Sequence, residues 1–154
     1  AASDVYKRQQ LKGVKAWLSF VAEEGDREVT IYNLTPHSIN IFTDKKVVTI
    51  PPSGLVFRLE EEVENGYEVL GEDFVIPIRR KRFSLNWDNP VGRVLINLLS
   101  RSDVLLIVSL PVLMALRHAD IPTSGAYVVA PDTGQGAVRD SEGNIVGVRS
   151  FITL

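Results

Sequence analysis

From Pro131 to Arg149 the chain reads Pro-Asp-Thr-Gly-Gln-Gly-Ala-Val-Arg-Asp-Ser-Glu-Gly-Asn-Ile-Val-Gly-Val-Arg, and residues of this kind do not sit inside a long helix. Asp132 and Thr133 can bond backbone groups just downstream while Gly134 and Gly136 admit positive φ, which predicts a tight turn. Asp140-Ser141-Glu142-Gly143 has the Asp-first, Gly-last order of a type I turn leading into a bulge. The two turns predict a hairpin with arms at residues 137–139 and 144 to about 152, the second rich in β-branched residues. Backbone N–H groups freed at the glycine-rich turn, with Arg139 or Arg149 beside them, could hold an anion. Turn chemistry alone also accounts for every one of these residues.

The preceding chain is cut into short apolar runs by the same kind of signal. Strands are predicted at residues 29–33 and 39–42, with Leu34-Thr35-Pro36-His37-Ser38 as a kink between them, because Pro36 cannot donate to a ladder. Residues 47–50 form the next strand, Pro51-Pro52-Ser53-Gly54 a rigid corner, and residues 55–60 a strand with near-regular alternation. Asn65-Gly66 predicts a type I′ hairpin joining 59–63 to 67–70, and Pro77 predicts an edge position for a strand at 74–78. Residues 12–20 fit either a strand or a short helix, and the element type of 91–99 is open. Residues 103–108 predict a buried strand. It feeds Ser109 as a helix cap and Pro111 in the first turn, with Leu110, Leu113, Met114 and Arg117 on one helical face. Arg117 and His118 suit the carboxyl-terminal end of that helix dipole.

The fold class expected is α+β: a mainly antiparallel sheet of short strands with one principal helix packed on it. Residues 29–154 form a single domain in this reading, preceded by an extension over residues 1–28. A chain of 154 residues, 45% hydrophobic and 23% charged, is of one-domain size and globular composition.

Composition also narrows the function classes. Without cysteine and with two histidines, His37 and His118, neither disulfides nor a zinc site is expected. A formal charge of −2 gives no overall attraction to nucleic acid or anionic membrane. Arg79-Arg80-Lys81-Arg82, near Phe83 and Trp87, could contact phosphates and stack bases, but acidic residues in the same half cancel most of its field. A solvated, charged connection is therefore expected there, and nucleic acid is disfavoured as a partner. No apolar run reaches the roughly 18 residues of a membrane span, and the amino terminus lacks signal-peptide order, so the expectation is a soluble cytoplasmic protein.

Several motifs carry a resemblance. Asn33-Leu34-Thr35-Pro36-His37, Ile50-Pro51-Pro52-Ser53-Gly54, Ile107-Val108-Ser109, and Pro131-Asp132-Thr133-Gly134 with Val138-Arg139-Asp140 and residues 143–151 resemble small uncharacterised phage and prophage proteins. The resemblance runs from about residue 31 to the carboxyl end. It departs at residues 88–101, where a proline- and acid-rich loop would stand. Residues 1–9 resemble a translated artefact found at the ends of metagenomic assemblies. What the resemblance implies is a viral accessory protein in the host cytoplasm.

An enzyme could use His37 as base, Asp132 or Asp140 to orient it, and Thr35, Ser53 or Thr133 as nucleophile. No elbow, phosphate loop or zinc helix frames them, and no catalytic residue, metal or cofactor is assigned. The leading expectation is a non-enzymatic protein that binds a small anionic or nucleotide-like ligand through His37, Asp132, Thr133, Arg139 and Arg149, and counters host defence signalling. The alternative is an interaction with a host or phage protein, or a virion-associated structural role, through an exposed sheet edge. A homo-oligomer fits either; a hydrolase ranks third.

Overall fold

Val104, Leu106, Ile107 and Val108 have no exposure to solvent. A run that is apolar on both faces suits a strand flanked by parallel neighbours and covered on both sides. In a computed structural model, which describes residues 11–20, 25–119 and 125–154, this run is the middle of the main sheet. The proposed artefact at residues 1–9 lies outside the described residues.

In chain order the elements are β1 (Gly13–Ser19), β2 (Asp26–Asn33), β3 (Ile39–Phe42), β4 (Val47–Ile50), β5 (Glu60–Leu70), β6 (Val75–Ser84), α1 (Pro90–Leu99), β7 (Val104–Ile107), α2 (Leu110–His118), β8 (Tyr127–Pro131), β9 (Ala137–Arg139), β10 (Ile145–Val148) and β11 (Phe151–Ile152). The main sheet has the order β1-β2-β7-β8-β11. β2, β7 and β8 run parallel, while β1 and β11 add to the outside antiparallel. α2 is the crossover that returns the chain from β7 to β8 in parallel. A second sheet, β4-β3-β10-β9, is reached from the carboxyl ends of β2 and β8. β5 and β6 form a two-stranded sheet by themselves.

The core gathers Leu95, Leu98 and Leu99 of α1, Val112, Leu113 and Leu116 of α2, the central strands, and Leu34, Leu55 and Phe57. The fold is thus α+β, with sheets dominating. In place of one principal helix, the described residues hold two of similar length, 10 and 9 residues. α1 has a plain local cause: Asn89 Oδ1 accepts from the Gly92 N–H at 2.7 Å and Pro90 opens the helix. The antiparallel expectation holds for the outer pairs but not for the centre of the main sheet. At the turn before β7, Arg101 donates to both carboxylate oxygens of Asp103 at 2.9 and 2.8 Å, which holds that carboxyl below its usual range. Among the described residues no helix is long and apolar enough to cross a membrane.

Two local expectations fail for physical reasons. Residues 55–59 alternate between buried and more exposed positions as expected, yet they form no ladder; Phe57 N–H bonds the Leu34 carbonyl at 3.0 Å in an extended connection. Asn65-Gly66 is not a turn. β5 runs straight through it, with a bulge between Glu64 and Tyr67, and the chain turns instead where the Gly71 N–H bonds the Phe74 carbonyl at 2.9 Å. A turn at 65–66 would set Glu64, Glu62 and Glu61 against Tyr67, Val69 and Leu70, and Val63 against Glu68, whereas the observed register sets Glu62 opposite Arg82 and Glu64 opposite Arg80. Gly66 is needed for closeness, since a Cβ there would overlap the Ile78 carbonyl. The basic run expected as a connection is accordingly part of β6.

Candidate functional site

β2 ends at Asn33, which is wholly buried. Its Nδ2 donates to the His37 carbonyl at 2.7 Å and the Ile50 carbonyl at 3.3 Å. Its Oδ1 accepts from the Thr35 N–H at 3.0 Å and the Thr35 hydroxyl at 2.6 Å. The side chain therefore uses its full hydrogen-bonding capacity, and its own carbonyl accepts from Ser53 N–H at 2.9 Å. The Asn-Leu-Thr-Pro-His and Pro-Pro-Ser-Gly motifs are thus one corner, clamped by a residue the sequence reading did not select.

The five residues expected to bind a ligand divide into two groups. Asp132 Oδ1 accepts from Gly134 N–H at 3.0 Å, its Oδ2 lies 3.5 Å from the Ser150 hydroxyl, and the Arg149 N–H bonds the Gly136 carbonyl at 2.7 Å. Asp132, Thr133 and Arg149 therefore gather at one end of the β9–β10 ribbon. Arg139 pairs with Ile145 at the opposite end, roughly 13 Å away along the strand at the usual rise per residue. Its guanidinium donates to the Gly143 carbonyl at 2.6 Å, inside the turn. β3 runs parallel to β10 with Ile41 beside Val148, so the start of β3, which follows His37, falls at the Arg139 end. The loops holding His37 and Asp132 do leave the same carboxyl end of the parallel strands, on either side of β7. Ser109, between them at the start of α2, makes no side-chain capping bond. Asp132 and Arg139 are committed to turns; His37, Thr133 and Arg149 point no described side-chain bond at the protein.

An apolar recess lies elsewhere. A groove of about 760 Å³ runs between α2 and the root of the β5–β6 ribbon. α2 turns Val112, Leu113 and Leu116 into the core, which leaves Leu110, Met114 and His118 along the groove. The facing wall is Leu59, Leu85 and Trp87, and Trp87 is held from beneath by Phe57, with ring centroids 5.6 Å apart. Ser84 and His118 are its polar lining residues, so the groove suits an apolar occupant.

From that root the β5–β6 ribbon extends as an arm. Its inner half is charged: Lys81 bridges Glu61 at 2.6 Å and Arg82 bridges Glu64 at 3.1 Å. Beyond the bulge, Tyr67 and Val69 share a face with Ile78 and Ile76, and Leu70, Phe74 and Val75 form the tip. All seven are exposed, from 36% for Ile78 to 71% for Leu70. Among the described residues no three His, Cys, Asp or Glu side chains are grouped to hold a metal ion. Comparison of the chain with protein-family models, curated proteins and solved structures finds no match.

Proposed function

We propose that the protein is an interaction module that binds another protein chain through the β5–β6 arm, as a phage accessory or virion-associated component would. The observation that carries this reading is the arm's exposed apolar surface. With Val63 and Phe83 included, nine large apolar side chains on the arm stand in solvent. Tyr67, Val69, Ile76 and Ile78 share one face and adjoin the tip of Leu70, Phe74 and Val75, a contiguous apolar surface of the several-hundred-Å² size that marks an interaction site. A two-stranded ribbon is also marginal in water without a surface to pack on. Lys81 and Arg82 of the inner half are paired with Glu61 and Glu64, and residues 60–84 hold seven acidic side chains against four basic ones, so the arm is a poor match for a polyanion and a good one for an apolar surface.

A photo-reactive phenylalanine analogue at position 67 tests this in the cells that make the chain. Illumination is expected to give a discrete adduct with a protein, another copy of this chain included, whereas the same probe at exposed Arg93 on α1 should give none. Equal labelling at both positions, or none at either, would contradict the reading.

The shared carboxyl end of β2 and β8 favours a second reading, the small anionic or nucleotide-like ligand, such as a host defence signal in the host cytoplasm. Ligands of open parallel sheets gather at that end. Arg149 and Thr133, which share one end of the β9–β10 ribbon, would be the contacts, and His37, toward the other end, would not. Arg149→Ala should then weaken binding by roughly 1.5–3 kcal/mol, the scale of a charge-assisted hydrogen bond. Arg139→Ala should act on stability instead, since its guanidinium holds a turn. Phosphate and nucleotides that leave the unfolding temperature unmoved at millimolar concentration would eliminate this reading.

A further inference from the structure

We infer that the partner of the arm is a second copy of this chain. The two arms lie antiparallel about a two-fold axis, and each tip is seated in the other copy's groove beside α2. This rests on the arm being an interaction surface, and it names the occupant.

Both halves of such a contact are present on one chain, and neither is filled by the described residues. The projecting half is the tip, with Leu70 at 71%, Phe74 at 52% and Val75 at 57% exposure. The recessed half is the groove of about 760 Å³ walled by Leu59, Leu85, Trp87 and Met114. The two cannot meet within one molecule. Leu59 and Leu85 directly adjoin Glu60 and Ser84, where the arm begins, and the tip lies 11 residues away along β5, roughly 33 Å at the usual strand rise.

Laying a second arm alongside in the reverse direction brings each tip to the other's root at once. Such a contact is isologous and closed, so it ends at two copies. A foreign partner would have to supply a recess for the tip and a projection for the groove separately. The two tips, the Tyr67–Ile78 faces beside them and the two grooves together offer an area of the order of a standard interface, roughly 1,600 Å², each apolar face lying along the aliphatic stems of the partner's inner-half Arg and Lys side chains. The formal charge of −2 per chain sets little repulsion against the pairing.

The absence of cysteine from the sequence allows a direct test on the full chain. In the double variant Val75→Cys with Met114→Cys, mild oxidation should give a covalent dimer that reductant reverses. Mixing the two single variants should give the cross-linked pair at least tenfold faster than either alone. A control pairing Val75→Cys with Arg93→Cys, on the exposed side of α1, should cross-link no better than the single variants. Light scattering of the unmodified chain should report a mass near twice 17.1 kDa. A dimeric mass without the tip-to-groove cross-link would overturn the inference, because the copies would then join elsewhere. A mass of 17.1 kDa up to millimolar concentration would overturn it as well, while an adduct from position 67 in cells would leave the broader reading of the arm standing.

Discussion

Asn33 shows how a turn motif can look like a binding motif. Its side chain satisfies the carbonyls of His37 and Ile50 and the N–H and hydroxyl of Thr35, and it does so while wholly buried. Asn33→Ala should therefore cost roughly 2–3 kcal/mol in urea denaturation, the scale of buried polar groups left without partners; a loss below about 0.5 kcal/mol would show that water replaces the clamp. Gly143 follows the sequence expectation, with φ at 85° in the Asp140 turn, and Gly143→Ala should cost about 1 kcal/mol. Gly136 also sits where a Cβ is unwelcome, as the turn chemistry predicts, but not through a positive φ. Its constraint is crowding, since a Cβ would stand 2.8 Å from the Ser150 hydroxyl oxygen and 2.9 Å from Asp132 Oδ2. Local turn chemistry was thus legible from residue types. The partition of the expected site was not, because it depends on the β3–β10 and β9–β10 registers, which join segments far apart in sequence.

At the scale of elements, the short strands and α2 were legible because each is bounded by its own turn or cap. α1 carries a signal in Asn89-Pro90, a cap and a first-turn proline, just before the run at 91–99 whose element type apolar patterning leaves open. Asn89→Ala should lower stability by about 1 kcal/mol, seen as an earlier thermal transition. The arm was misread at Asn65-Gly66, since a dipeptide preference worth little was set against the pairing of a glutamate row with an arginine-lysine row. The apolar outer half of the arm packs on no other element among the described residues. Replacing Tyr67, Val69, Ile76 and Ile78 by Thr should accordingly leave the unfolding of the body within about 0.5 kcal/mol at concentrations where the chain is monomeric. A larger loss would mean that the arm supports the body.

For the whole molecule, the parallel centre of the main sheet was beyond sequence patterning. β2 and β7 are neighbours although most of the second sheet, the arm and α1 intervene between them, and no local signal records that return. The same connection places the arm's root beside α2, which is what creates a groove next to a projecting apolar ribbon. The central claim is that another chain completes this arrangement. Hydrogen exchange of the β5 and β6 backbone amides, followed in the purified chain from micromolar to millimolar concentration, tests it most directly. Exchange on the arm is expected to slow by at least tenfold as concentration rises, with β2, β7 and β8 unchanged; arm amides that exchange at the same rate across the whole range would contradict it.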